Sequence, residues 1–91
     1  MKVFVYPCFE KLGYQLVDYY LNSGNKVVGS GSLTTEDEMF YFAMVGRNAN
    51  FQFVEDLKEL DGRESFDQAF IIDEEVDVQA KQIFKITTNE S

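Results

Sequence analysis

The chain has no histidine and a single cysteine, so it cannot by itself supply a disulfide, a Ser-His-Asp or Cys-His pair, or a His/Cys zinc cage. It also lacks any run of about 18 apolar residues, which excludes a membrane-spanning helix. The opening Met1-Lys2-Val3-Phe4-Val5 is too short an apolar stretch for a secretory signal and no small-residue cleavage site follows it, so a cytoplasmic location is expected. Bases are scarce: eight Lys and Arg face sixteen Asp and Glu, a formal charge of −8. That field repels phosphates, which disfavours direct binding of nucleic acid or of an anionic membrane. What the chain does have is apolar bulk. Hydrophobic residues make up 45% of its 91 positions and include nine Phe and five Tyr, which excludes a disordered tail. A chain of this length makes one domain, 1–91, burying about 64% of its surface.

The negative charge is concentrated along the chain. Ten acids between Glu55 and Asp77 face only Lys58 and Arg63, so this stretch nets −8 and the flanks cancel. Such a stretch serves as a solvated face or as a docking surface for a basic partner.

Local patterns give the elements. Lys2–Tyr6 is a β-branched and aromatic run closed by Pro7, and reads as a buried strand. Leu12, Leu16, Tyr19 and Tyr20 fall at helical spacing, with Asn22-Ser23-Gly24 as the stop. Lys26–Gly29 is a second strand, so strand, helix and strand fit within 29 residues and imply a parallel crossover. Residues 36–45 read two ways. Thr35 and Glu38 have capping-box spacing for a helix ending at Gly46, whereas Met39–Val45 is also a strand-like run that could form a hairpin with Phe51–Val54. The capping box favours the helix. Phe51–Val54 and Ala69–Ile72 read as the third and fourth strands, with a charged, linker-like Asp56–Gln68 between them. Val76, Val78, Ala80, Ile83, Phe84 and Ile86 suit a terminal helix better than a strand, although Phe84–Thr88 also fits an edge strand. The expected fold is therefore a small α/β domain, a three-layer Rossmann-like half-sheet of about four mostly parallel strands in the order 3-2-1-4 with two or three helices.

Met1–Val5 through Gly13, Leu16–Leu21, Gly24, Val27–Gly29 and Phe53–Leu57 together resemble the N-terminal half of the extended short-chain dehydrogenase/reductase and nucleotide-sugar epimerase family, over about 72 residues. In that family a G-x-x-G-x-x-G turn brings backbone amides against the cofactor diphosphate. The corresponding positions here are Pro7, Glu10 and Gly13, so only the third glycine, used for helix packing, is kept. Proline removes a donor and Glu10 sets a carboxylate where an anion would sit. The ribose-binding acid would fall near Gly31 and is missing, while Asp56-Leu57 matches the family's pair near the adenine. No tyrosine follows Tyr41, so the family's Tyr-x-x-x-Lys pair has no counterpart. The resemblance implies a Rossmann-like scaffold without cofactor or catalytic chemistry.

Other candidates carry little. Cys8 follows the first strand ahead of a helix, but no histidine is present to act as base and Glu10 would raise the thiol pKa. The run Asp73-Glu74-Glu75-Val76-Asp77 lacks the alternation and mid-loop glycine of an EF-hand, so no metal site is expected. Gly29-Ser30-Gly31-Ser32 reads as a strand-to-helix turn. We therefore expect no cofactor, no catalytic residue, and a vestigial loop of Pro7, Cys8, Glu10, Gly13 and Asp56. The expected function is non-catalytic binding of another protein through an aromatic patch of Phe40, Tyr41, Phe42 and Met44, rimmed by Asp73, Glu74, Glu75 and Asp77, with homo-oligomerisation through surplus apolar surface. The alternatives are a small nucleotide-binding or dinucleotide-binding domain, and an acidic mimic of nucleic acid that inhibits a DNA-binding protein.

Overall fold

The computed structural model describes residues 1–60 and 65–88. The aromatic and β-branched runs form the strands β1 (Lys2–Tyr6), β2 (Lys26–Ser30), β3 (Phe51–Val54), β4 (Ser65–Ile72) and β5 (Gln79–Ile86). They build one parallel sheet in the order β3-β2-β1-β4-β5. The order 3-2-1-4 is thus present with a fifth strand beyond it. β5 occupies residues where a terminal helix fits better by spacing. It pairs with β4 along its whole length, Ser65 opposite Gln79 to Ile72 opposite Ile86, and this pairing outweighs its helical spacing of apolar residues.

Two helices, α1 (Lys11–Asn22) and α2 (Glu36–Val45), carry the crossovers between β1, β2 and β3. The buried stripe of α1 is Gly13, Val17 and Leu21, one residue along from the apolar spacing, because the glycine contributes to packing without being apolar. The helix ends in a Schellman motif: Gly24 N–H donates to the Leu21 carbonyl and Asn25 N–H to the Tyr20 carbonyl, with Gly24 at φ +82°. The ambiguity at residues 36–45 is resolved as helix. Thr35 Oγ1 accepts from Glu38 N–H at 3.1 Å while Glu38 Oε1 accepts from Thr35 N–H at 2.9 Å, a complete capping box.

Both helices cover the same face of the sheet. There Val3, Val5, Val27, Phe51 and Phe70 meet Val17, Leu21 and Val45, each fully buried side chain contributing roughly 1.5–3 kcal/mol. The opposite face holds a second core of Phe4, Val28, Val54, Phe66 and Ala69. Among the described residues no α-helix covers it; its third layer is the 3₁₀ turn η1 (Leu57–Glu59) with Leu60, and the connection 73–78 with Val78. That connection is short. Parallel neighbours ordinarily need a dozen or more residues between them. Returning from Ile72 to Gln79 spans roughly 23 Å of strand length, and seven residue steps reach about 23–25 Å when extended, so the segment crosses taut. Among the described residues no helix is long and apolar enough to cross a membrane.

Candidate functional site

In open α/β sheets ligands bind at the carboxyl ends of the strands, where the connection order reverses. In this sheet the reversal lies between β1 and β4, at Tyr6-Pro7 and Ile72-Asp73. The turn leaving β1 is closed. Pro7, joined to Tyr6 by a cis peptide, offers no N–H, and Cys8 N–H donates to the Ser30 carbonyl at 2.8 Å. Glycines pack directly on this turn. A Cβ at Gly13 would lie 2.0 Å from the Pro7 carbonyl oxygen, and one at Gly29 would lie 2.7 Å from Cys8 Cβ. No side chain larger than glycine fits at position 13 against the turn, and the one amide of the turn with a recorded acceptor, that of Cys8, faces protein instead of a ligand.

Cys8 is fully buried, and that burial pushes its thiol up to about 12, with Glu38 nearby adding to the rise. At neutral pH it is a protonated, packed thiol. Glu10 is the N-cap residue of α1, yet its side chain makes no capping hydrogen bond. Its carboxyl is raised above the ordinary 4.5 by partial burial first, then by the negative charges of Asp73, Glu74 and Glu38. These acids come from three separate parts of the sequence and meet over the carboxyl ends of the strands. Glu38 is itself held below the ordinary value, chiefly by backbone hydrogen bonds from Thr34 and Thr35, and so stays ionised. Asp73, at φ +57°, accepts from Thr88 N–H at 2.8 Å and from Thr88 Oγ1, which lowers its pKa and ties the end of β5 to the end of β4.

Folding therefore rearranges the charge. Glu55 and Asp56 follow β3, Asp73 to Glu75 follow β4, and Glu10 and Glu36 to Glu38 open the two helices, so among the described residues nine acids share one end of the sheet with Lys11, Lys58 and Lys85. Asp77 is carried away from this end by the connection to β5. A shallow groove of about 320 Å³ runs between Asp73, Glu74, Glu75 and Lys85, and another of about 360 Å³ between Tyr6, Ser30, Gly31, Asp56 and Leu57. Asp56 in the second groove accepts from Lys58 N–H at 3.0 Å, capping η1. Among the described residues no cluster of acids and cysteine has the arrangement of a metal site.

The aromatic segment divides into two faces. Tyr41 stacks on Tyr14 at 4.5 Å between ring centroids, and Phe42 packs against Phe9 and Phe53, so both anchor α2 to the core. Phe40 and Met44 point outward, 61% and 59% exposed, together with Met39. Sequence reading did not single out Met39 and Ala43, the other exposed apolar positions of this face, nor Glu36, Asp37 and Arg47 at its ends. The anions beside the face are those of the first turn of α2 itself, whereas Asp73 to Asp77 lie across the sheet beyond β1. No family model matches the chain, and neither does a curated protein or a solved structure.

Proposed function

We propose that the chain is a non-catalytic protein-binding module of the cytoplasm whose contact surface is the outer face of α2, with the acids of its first turn at one end. The observation that carries this reading is the exposure of Met39, Phe40 and Met44 on a helix whose other aromatics are used in the core. Large apolar side chains held rigidly in water are the usual anchors of protein interfaces, and flanking charges steer the encounter. The turn after β1 supports the same reading, since Pro7 has no N–H to offer and the Cys8 amide is bonded to the Ser30 carbonyl. The resemblance to the dehydrogenase and epimerase family fits a scaffold that keeps the sheet and has lost the cofactor turn. The test compares the native chain with a Phe40→Asp/Met44→Asp variant by affinity purification and native mass spectrometry. We expect a stoichiometric complex, with another protein or with itself, that the variant loses. Complexes identical in both, or none in either, refute the assignment.

A second reading has one observation in its favour. The groove of about 360 Å³ beside Asp56 and Leu57 lies where the family places adenine. The surrounding carboxylates favour a neutral nucleoside over a phosphorylated one. Thermal shift with adenosine, ATP, NAD, NADP and a nucleotide sugar decides it, because ligand at 100 times its Kd adds about 2.7 kcal/mol. No shift at millimolar ligand removes this reading.

A further inference from the structure

We propose that the outer face of α2 is self-complementary and that its occupant is a second copy of this chain, docked antiparallel across a two-fold axis. This rests on the reading of α2 as the contact surface and names the partner. The exposed apolar positions are Met39, Phe40, Ala43 and Met44, two i, i+4 pairs forming one stripe whose centre lies between Tyr41 and Phe42. A two-fold axis through that centre pairs Phe40 with Ala43 of the second copy and Met39 with Met44. The first pairing sets a large side chain over a small one, as ridges and grooves of packed helices require, and the second joins two pliable thioethers.

The charges obey the same symmetry. Glu36 and Asp37 begin the helix, and Arg47 lies just beyond its end, all exposed and without an ion-pair partner among the described residues. About 16 Å separates Glu36 from Arg47 along the axis at 1.5 Å per residue. The axis that centres the apolar stripe brings Glu36 of each copy opposite Arg47 of the other. Antiparallel alignment also opposes the two helix dipoles favourably. In a chain of net charge −8, an unpaired cation at the one end of this face that needs it is what distinguishes a second copy from a basic partner protein. A single ten-residue helix offers much less than the roughly 800 Å² per partner of standard complexes, so the dimer is weak and forms at micromolar to millimolar concentration.

The experiment is sedimentation equilibrium from about 10 μM to 1 mM, on a range suited to the low end of interface sizes. The native chain is expected to dimerise, and Phe40→Asp to abolish this with its circular dichroism unchanged. Arg47→Glu and Glu36→Arg each place like charges together twice and weaken the homodimer about tenfold. An equimolar mixture of Arg47→Glu and Glu36→Arg chains pairs opposite charges at both contacts and is expected to restore association as a heterodimer. A dimer indifferent to these variants, or a mixture no stronger than its parts, overturns the proposal. A monomeric native chain that captures a different protein through Phe40 and Met44 overturns this inference and leaves the binding reading standing. A monomer without any α2-dependent complex overturns both.

Discussion

Gly13→Ala tests whether the turn after β1 is closed by helix packing. Ordinarily the substitution would stabilise a helix by about 1 kcal/mol. Here the new methyl would sit 2.0 Å from the Pro7 carbonyl oxygen, where contacts ordinarily lie at 3.4–4 Å. The obstacle is backbone and cannot rotate aside, so α1 must move by more than about 1 Å or the turn must open. Overpacking of this kind costs roughly 1–3 kcal/mol or more, and a backbone contact this close belongs at the upper end. The clash exceeds the propensity gain, leaving a net loss of about 2 kcal/mol, a large share of the roughly 5–15 kcal/mol available to a small domain. Urea unfolding is the assay; with m near 1 kcal/mol/M, the midpoint should fall by about 2 M. Gly24→Ala is the control, because a Cβ there has nothing within 4 Å and costs only the positive φ, about 1–2 kcal/mol. A Gly13→Ala midpoint equal to or above that of the native chain would refute the packing and reopen the turn to ligand.

Two further outcomes follow from the same site. The Cys8 thiol, raised to about 12, should resist disulfide-exchange reagents at pH 8 and react only at the rate of opening, so that urea accelerates labelling in step with unfolding; rapid stoichiometric labelling of native protein would contradict its burial. Glu10 has a folded-state pKa above its ordinary 4.5, so the folded chain binds the extra proton and stability from this group rises as pH falls through the folded value toward 4.5. Below the ordinary carboxylate range the sign reverses. Asp73, Asp67 and Glu38, all lowered by hydrogen bonds, lose their contribution as pH falls toward their folded values. Glu10→Gln should therefore raise stability at pH 7 and flatten the mildly acidic gain while leaving the acid limb intact, as read by melting temperature across pH; no change at pH 7 would show that Glu10 does not feel its acidic neighbours.

Local signals made most of the sheet legible. Pro7 closed β1, Gly24 stopped α1, and the Thr35 and Glu38 pair decided between helix and hairpin, since a hydrogen-bonded cap acts within four residues and needs no tertiary partner. β5 carried no such signal. It is an edge strand exposed along most of its length, so neither face imposes alternation, and its pairing with β4 is specified by a neighbour rather than by its own pattern. The α2 patch was legible as composition but not as geometry. A helix apolar on every side does not reveal which residues face inward until β3 and α1 supply Phe53 and Tyr14 as partners for Phe42 and Tyr41.

Charge shows the same limit with a functional consequence. Counting along the chain placed the whole excess at residues 55–77, and Glu10 and Glu36 to Glu38 in flanks whose charges cancel. The topology moves them to one end, because every residue that follows a parallel strand or opens the next helix lies on that side of the sheet. A diphosphate near Glu10, Asp73 and Glu74 would meet charge of its own sign from all three. This adds to the amides that Pro7 lacks and Cys8 has given to Ser30. Either loss alone could be offset by other contacts; together they turn the end of the sheet that most often receives an anion into one that attracts cations. Arg47 of a second copy, approaching the same end of the molecule from which α2 begins, would be drawn toward Glu36 and Asp37 by that field, which is why the closed turn and the exposed helix belong to one functional reading.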